Sequence, residues 1–169
     1  MARRLATAAL QWLLILTRAS HAVASLAVQG SISDSISLDG VYGVAVQGNY
    51  LYTAAYLGNR LTVVDVTNPT APTIAGSYSS SIYLSGAWDV VLGSSTYVYV
   101  SAYTSNRITV IDVANPSNPA FSGSLYNSHF STATGLCVSP INPNIVFMAS
   151  RFGRRLNAID VVNAAIDRF

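Results

Sequence analysis

LTVVDVTNPTAP, residues 61–72, joins a β-branched run to an abrupt turn. β-Branched residues lead up to Asp65, and Asn68-Pro69 follows three residues later. Proline lacks the N–H that a strand ladder needs, so the strand must end before it. A short carboxylate beside a tight turn accepts backbone N–H bonds. We therefore interpret Asp65 as a structural turn residue and not as a catalytic one.

The same phrase recurs along the chain. It returns as ITVIDVANPSNP at 108–119 and, in reduced form, as LNAIDVVN at 156–163. Asp65, Asp112 and Asp160 are therefore 47 and 48 residues apart. One carboxylate at the same place in every copy is typical of a repeat, whereas catalysis needs unlike residues that converge once. We predict the same structural role for all three aspartates.

Each copy holds short segments with the two-residue period of a strand, separated by turn residues. In the first full copy these segments are 41–47, 50–57, 60–66 and 73–79. Four strands in about 46 residues are typical of one blade of a β-propeller. Lys and Glu, the usual residues of exposed helices, are absent from the chain. The sequence therefore predicts an all-β fold, a β-propeller-type repeat with three four-stranded blades.

The first 24 residues have the order of a secretory signal peptide. Arg3 and Arg4 precede an apolar run from Leu5 to Leu16, and a small-x-small site ends at Ala24. The apolar run is too short for a stable membrane span. We predict a signal peptide at 1–24, a repeat domain at 25–169, and a secreted or cell-surface location. An organelle-targeting peptide is the alternative, because no acidic residue occurs before Asp34.

Removal of the leader changes the charge balance of the chain. Six arginines and seven aspartates remain from residue 25 onward, so the net charge is about −1. A nucleic-acid-binding protein needs a basic stripe along its surface. We therefore expect no nucleic-acid partner.

The pattern L-x-V-V/I-D-V-x-N-P-x-x-P, preceded by V-x-V-x-G-x-Y-x-Y-x-x-x-Y, resembles the LVIVD-repeat family of β-propeller proteins over about 26–163. The resemblance implies an exported or cell-surface propeller, mostly without an assigned activity, and supplies no catalytic residues. The third copy departs from the pattern because it has lost both prolines, the first of which is replaced by Ala164.

Three blades are too few to close a ring, since propellers close with four to eight. The segment 26–33 (LAVQGSIS) matches the fourth strands at 73–79 and 120–126, whereas the last copy stops after its third strand. We predict an incomplete ring or half of a dimeric propeller, in which 26–33 completes a blade of a homodimer partner. A truncated, non-functional fragment of a larger propeller is the alternative.

Few residues could support catalysis. His129 is the only histidine beyond the leader, and nucleophilic devices need a histidine base. One histidine without glutamate gives no three-ligand metal cluster. Cys137 is the only cysteine, and we expect it to be a buried, inert thiol. We predict no enzyme activity, no metal and no cofactor; a propeller-fold hydrolase or lyase is the alternative.

A binding role has more support from the sequence. In propellers, the loops before each first strand share a face with the hairpins between second and third strands. That face should gather Tyr42 and Trp88 with Arg60, Arg107 and Arg155. Aromatic platforms with arginines are typical of recognition of sugars, carboxylates or proteins. We predict a binding or interaction module for a protein or carbohydrate; alternatively, the arginines only cover hairpin ends and stack on tyrosines.

The signal peptide gives the first testable prediction. The exported chain should begin at Ser25, because cleavage is expected after Ala24. Intact-mass measurement of the extracellular product checks this directly. A secreted chain that still begins at Met1 would contradict it.

Overall fold

The computed structural model describes residues 26–93 and 96–161, and the predicted leader at 1–24 lies outside them. The described strands form three antiparallel sheets in which strand order follows the chain. The first sheet contains β1 (Val41–Gln47), β2 (Tyr50–Ala55), β3 (Arg60–Asp65) and β4 (Thr73–Ser79). The second contains β5 (Ala87–Leu92), β6 (Tyr97–Ala102), β7 (Arg107–Asp112) and β8 (Ala120–Tyr126). The third contains β9 (Ala133–Val138), β10 (Ile145–Ser150) and β11 (Arg155–Asp160), after a 3-10 turn at Ser128–Phe130.

The first strands of the three sheets lie side by side. β1 packs beside β5, and β5 packs beside β9. The sheets are therefore successive blades arranged around an inner edge, as in a propeller whose ring is incomplete. This confirms the predicted all-β repeat fold. No helix within the described residues is long and apolar enough to cross a membrane.

Each blade has two faces, defined here by the side chains of its first strand. The front face carries Val44 in the first blade, Val90 in the second and Leu136 in the third. The back face carries Ala45, Val91 and Cys137 in the same order. Two buried apolar clusters join the back face of one blade to the front face of the next. The first contains Tyr52, Ala54, Leu61 and Val63 from the first blade with Val90, Val98, Val100 and Ile111 from the second. The second includes Tyr99 and Ile108 with Val146, Met148 and Ile159.

Alternating apolar residues explain why the blades must stack. A strand with valine or leucine at every second position leaves an apolar row on each sheet face. Burial of that row is favourable by roughly 25 cal/mol per Å² of apolar surface, but a single sheet cannot cover its own faces. The stack therefore supplies most of the core.

The segment 26–33 was predicted to be a strand, and this is wrong for the single chain. Residues 26–34 have no strand assignment. A strand needs a hydrogen-bonding neighbour, and none of the three described sheets pairs with this segment. A Cβ at Gly30 would nevertheless lie 2.3 Å from the carbonyl oxygen of Pro69, as one at Gly76 would lie 2.5 Å from that of Pro116. The segment thus occupies the place of a fourth strand in a preceding blade.

Asp89 clamps the inner strands of the second and third blades. Its Oδ2 accepts a hydrogen bond from Leu136 N at 2.8 Å, and its Oδ1 accepts from Val90 N at 2.9 Å. On its other side, a Cβ at Gly43 would lie only 2.5 Å from the Asp89 Cα, so the backbones touch. Asp89 therefore links all three blades.

We expect Asp89→Ala to lower the free energy of unfolding by about 1–2 kcal/mol, because Leu136 N loses its acceptor. Asp89→Asn is the control, since its amide oxygen can still accept that bond. Urea unfolding of both variants checks this. Equal stability of Asp89→Ala and wild type would contradict the clamp.

Candidate functional site

Loops and hairpins of adjacent blades meet on one surface, here called the upper face. It contains the loops before β5 and β9 and the hairpins after β2 and β6. Asn59 Oδ1 accepts from Gly86 N at 2.8 Å, and Asn106 Oδ1 accepts from Thr132 N at 2.9 Å. Both asparagines have positive φ, 47° and 54°, a conformation that asparagine tolerates better than most residues. Equivalent hairpins are therefore bonded in the same way to the next blade.

Four aromatic rings form a cluster on the upper face. Tyr42 stacks on Trp88 with ring centroids 4.4 Å apart, and Trp88 stacks on Tyr103 at 5.2 Å. Tyr56 presents its edge to Trp88 and to Tyr103, both at 5.9 Å. Tyr42, at the end of the stack, is 57% exposed. The cluster therefore offers an accessible tyrosine on a rigid aromatic support.

The predicted pair Tyr42 and Trp88 is thus brought together, and the sequence interpretation missed Tyr56 and Tyr103. Both missed residues directly follow a second strand and are 47 residues apart. That shared repeat position was the signal that could have identified them. By contrast, burial raises the pKa of Tyr52 and of Tyr99, and both belong to the core clusters.

Two of the predicted arginines, Arg60 and Arg107, form hydrogen bonds within their own blades. Arg60 Nη1 donates to Ser77 Oγ at 2.6 Å, and Arg107 Nη1 donates to Ser124 Oγ at 2.9 Å. The Arg107 guanidinium also lies 5.6 Å from the ring centroid of Tyr83 and 5.5 Å from that of Tyr126. The tyrosine contacts of Arg107 are of the kind described by the alternative interpretation, in which the arginines cover hairpin ends and stack on tyrosines.

Arg155 occupies the same repeat position as Arg60 and Arg107. It is exposed, and its blade has no fourth strand among the described residues. Of the predicted ligand-binding residues, the aromatic pair therefore forms a cluster, while Arg60 and Arg107 are engaged in contacts within their own blades.

Asp65 and Asp112 each accept a backbone hydrogen bond at the turn that follows their strand. Asp65 Oδ1 accepts from Thr67 N and Asp112 Oδ1 accepts from Ala114 N, both at 2.8 Å. The hydrogen bonds from Thr67, through its side chain and its backbone, lower the pKa of Asp65. Asp160 lies at the exposed end of β11.

The asparagine of the Asn-Pro motif makes the second half of each turn. Asn68 Oδ1 accepts from Thr70 N, and Asn115 Oδ1 accepts from Ser117 N. Each turn then presses its backbone on a glycine, Pro69 on Gly30 and Pro116 on Gly76. The quoted motif is therefore a contact between blades as well as the end of a strand.

Cys137 was expected to be buried, and this is wrong. It is exposed on the back face of the third blade. The equivalent residues Ala45 and Val91 are partly buried because a following blade covers them. No blade covers Cys137 among the described residues.

His129, the only histidine beyond the leader, lies exposed in the 3-10 turn. Its backbone N donates to Asn127 Oδ1 at 2.9 Å, which caps the turn. Among the residues that the structure covers, no cluster of three histidine, cysteine or acidic side chains could hold a metal ion.

Comparison with known families agrees with this architecture. The model of the LVIVD repeat matches residues 40–80 and 86–127, which span the first and second blades. The chain therefore belongs to the LVIVD-repeat β-propeller family. No curated protein matches the sequence.

Solved structures show the same fold at low sequence identity. Virginiamycin B lyase from Staphylococcus aureus is 13% identical with a TM-score of 0.57, over 76% of this chain and 40% of that one. The computationally designed Ika8 protein is 17% identical with a TM-score of 0.56, over 76% of this chain and 35% of that one. AztD from Citrobacter koseri is 18% identical with a TM-score of 0.51, over 76% of this chain and 32% of that one. The chain thus spans about a third to two fifths of these proteins, and the likeness concerns the fold alone.

A substitution in the second repeat tests the role of the aspartates. We expect Asp112→Ala to lower the free energy of unfolding by about 1 kcal/mol, because Ala114 N loses its acceptor. Asp112→Asn should retain most of the stability, since its amide oxygen can accept the same bond. Chemical denaturation of both variants is the measurement. A fully stable Asp112→Ala protein that has lost a binding activity would reverse the assignment.

Proposed function

We propose that this chain is an exported binding and interaction module that carries out no reaction of its own. The observation that carries the proposal is the aromatic cluster of Tyr42, Tyr56, Trp88 and Tyr103 on the upper face. Three of its rings are stacked, with centroids 4.4 and 5.2 Å apart, so they are held in place before any ligand arrives. Preorganised aromatic residues bind with little loss of conformational entropy.

The proposed ligand is a carbohydrate or an exposed protein segment. Tyr42 offers an amphipathic ring, apolar on its face and polar at its hydroxyl, with 57% of its surface exposed. Such rings contact the C–H faces of sugars or apolar side chains, while the hydroxyl takes a hydrogen bond. The arginines of the repeat do not enter this proposal, because Arg60 and Arg107 already bond to their own blades.

We further propose a homodimer. Three blades leave two uncovered faces and one uncovered strand edge, and six blades lie within the range in which propellers close. Export is proposed for the leader, and the intact-mass measurement above tests it. A catalytic role has less support, because among the described residues His129 belongs to no cluster of three histidine, cysteine or acidic side chains.

Tryptophan emission can report on the proposed site alone. Trp12 lies in the predicted leader, so Trp88 is the only tryptophan of the processed chain. A panel of soluble oligosaccharides and peptides can therefore be titrated while the emission of Trp88 is followed. A saturable change marks a ligand at the cluster.

For a ligand found in this way, Tyr42→Ala should weaken binding about tenfold or more, as expected for an aromatic residue central to an interface. Tyr97→Ala is the matched control, because Tyr97 is exposed at the opposite end of the second blade. Both affinities can be measured by calorimetry. Equal weakening by the two variants would contradict a site at the aromatic cluster.

A further inference from the structure

The two ends of the blade stack expose the two halves of an interface that the chain uses internally. On the front face, Val44 of the first blade is 58% exposed, whereas its equivalent Val90 is 2% exposed. On the back face, Leu156 of the third blade is 75% exposed, whereas its equivalent Ile108 is 3% exposed. The front face of the first blade and the back face of the third blade are therefore both uncovered, although equivalent front and back faces pack on each other within the chain.

The inner strands also show a position that is covered in the first blade and uncovered in the third. At Gly43 the absence of a side chain lets the backbone of Asp89 in the next blade approach. Gly135 occupies the same repeat position in the third blade, and a Cβ there would meet nothing within 4 Å. The third blade thus retains the space for a following first strand.

On the outer side, the third blade has a strand with one uncovered edge and the N-terminal segment has no strand to pair with, among the described residues. β11 is the outermost of the three described strands of its sheet. The segment 26–33 lies in the place of a fourth strand that has no sheet. Beside it, a cavity of about 780 Å³ opens on the front face of the first blade and is lined by Ile32, Leu38 and Thr53. Thr53 Oγ1 is buried there without a hydrogen-bond partner.

We infer that the occupant of each uncovered face is a second copy of this chain, bound head to tail. The inference rests on the homodimer proposed above and specifies its contacts. The front face of each first blade packs on the back face of the partner's third blade, and 26–33 pairs with the partner's β11. Two such junctions close a ring of six blades, because a head-to-tail contact forms a ring when its rotation closes.

The junction also completes the aromatic site. Tyr56 contacts Trp88 one blade further on, and Arg151 occupies the repeat position of Tyr56 and Tyr103. Repeat equivalence therefore puts the partner's Arg151 beside Tyr42. A guanidinium over a tyrosine ring is an attractive arrangement. Each ligand site of the ring would then be shared between two chains.

The junction lacks one bond that the internal interfaces have. Arg154 stands where Asn59 and Asn106 accept a hydrogen bond from the loop of the next blade. Arginine has no acceptor, so Gly40 N of the partner cannot donate the corresponding bond. The dimer should therefore dissociate on dilution while each chain stays folded.

A native cysteine allows a direct test on the full chain as exported. Cys137 and Val44 correspond to the pair Val91 and Leu136, which pack in one cluster. Val44→Cys should therefore form a disulfide-linked dimer under mild oxidation, visible on a non-reducing gel. Val44→Cys with Cys137→Ser should lose that band. The control Ile82→Cys, exposed at 61% in a loop, should form none. A strong band from Ile82→Cys, or none from Val44→Cys, would overturn the inference.

A complementation experiment tests the head-to-tail geometry. Light scattering should give twice the chain mass for wild type, and half of that value for Val44→Arg and for Leu156→Arg. An equal mixture of the two variants should regain a dimer, because the intact faces of the two chains form one junction. Circular dichroism of each variant checks folding.

Four outcomes contradict the proposal. A wild-type monomer at every concentration overturns the homodimer itself. A dimer that survives both arginine substitutions leaves the homodimer standing and overturns the head-to-tail contact, as does a mixture that stays monomeric. A ladder of larger species overturns the closed ring of two chains.

Discussion

Neighbouring sheets cover one another in this protein, because no blade can bury its own apolar faces. The back face of one blade and the front face of the next form a single buried cluster at both internal junctions. Burial of that surface is the main favourable contribution to folding. The turn motif, the asparagine hairpins and Asp89 add backbone contacts and hydrogen bonds between successive sheets.

The repeat allowed most of the fold to be predicted. Strand boundaries agree within two residues in the first blade, since alternating residues and Asn-Pro turns act locally. The aspartate turns follow from the same local chemistry. The predicted strand at 26–33 and the predicted burial of Cys137 were wrong for a shared reason. Both depend on a neighbouring blade, and a local pattern does not say whether that neighbour is present.

The aromatic site was only partly predictable. Tyr42 and Trp88 lie at the start of first strands, which made them predictable, but their ring partners Tyr56 and Tyr103 directly follow second strands in two different blades. Direct contact between such residues depends on how the blades are rotated against each other. The arginines illustrate the converse. Their repeat positions suggested one shared site, yet Arg60 and Arg107 each bond to a serine in the fourth strand of their own blade. A residue that repeats in every blade can make the same contact separately in each one.

The third blade has diverged most at the positions that would contact a following blade. Arg154 replaces a bridging asparagine, and Cys137 is exposed at the back-face position where Ala45 and Val91 are packed in the other two blades. The front-face strand residues of the third blade have stayed apolar, because Val146, Met148 and Ile159 are buried in the cluster shared with the second blade. The turn motif, which contacts the preceding blade in the first two copies, has nevertheless lost both prolines in the third. For these strand residues, the constraint therefore follows the face on which they lie. Gly135 is the exception, since it retains the glycine that Gly43 needs although nothing presses on it within the single chain.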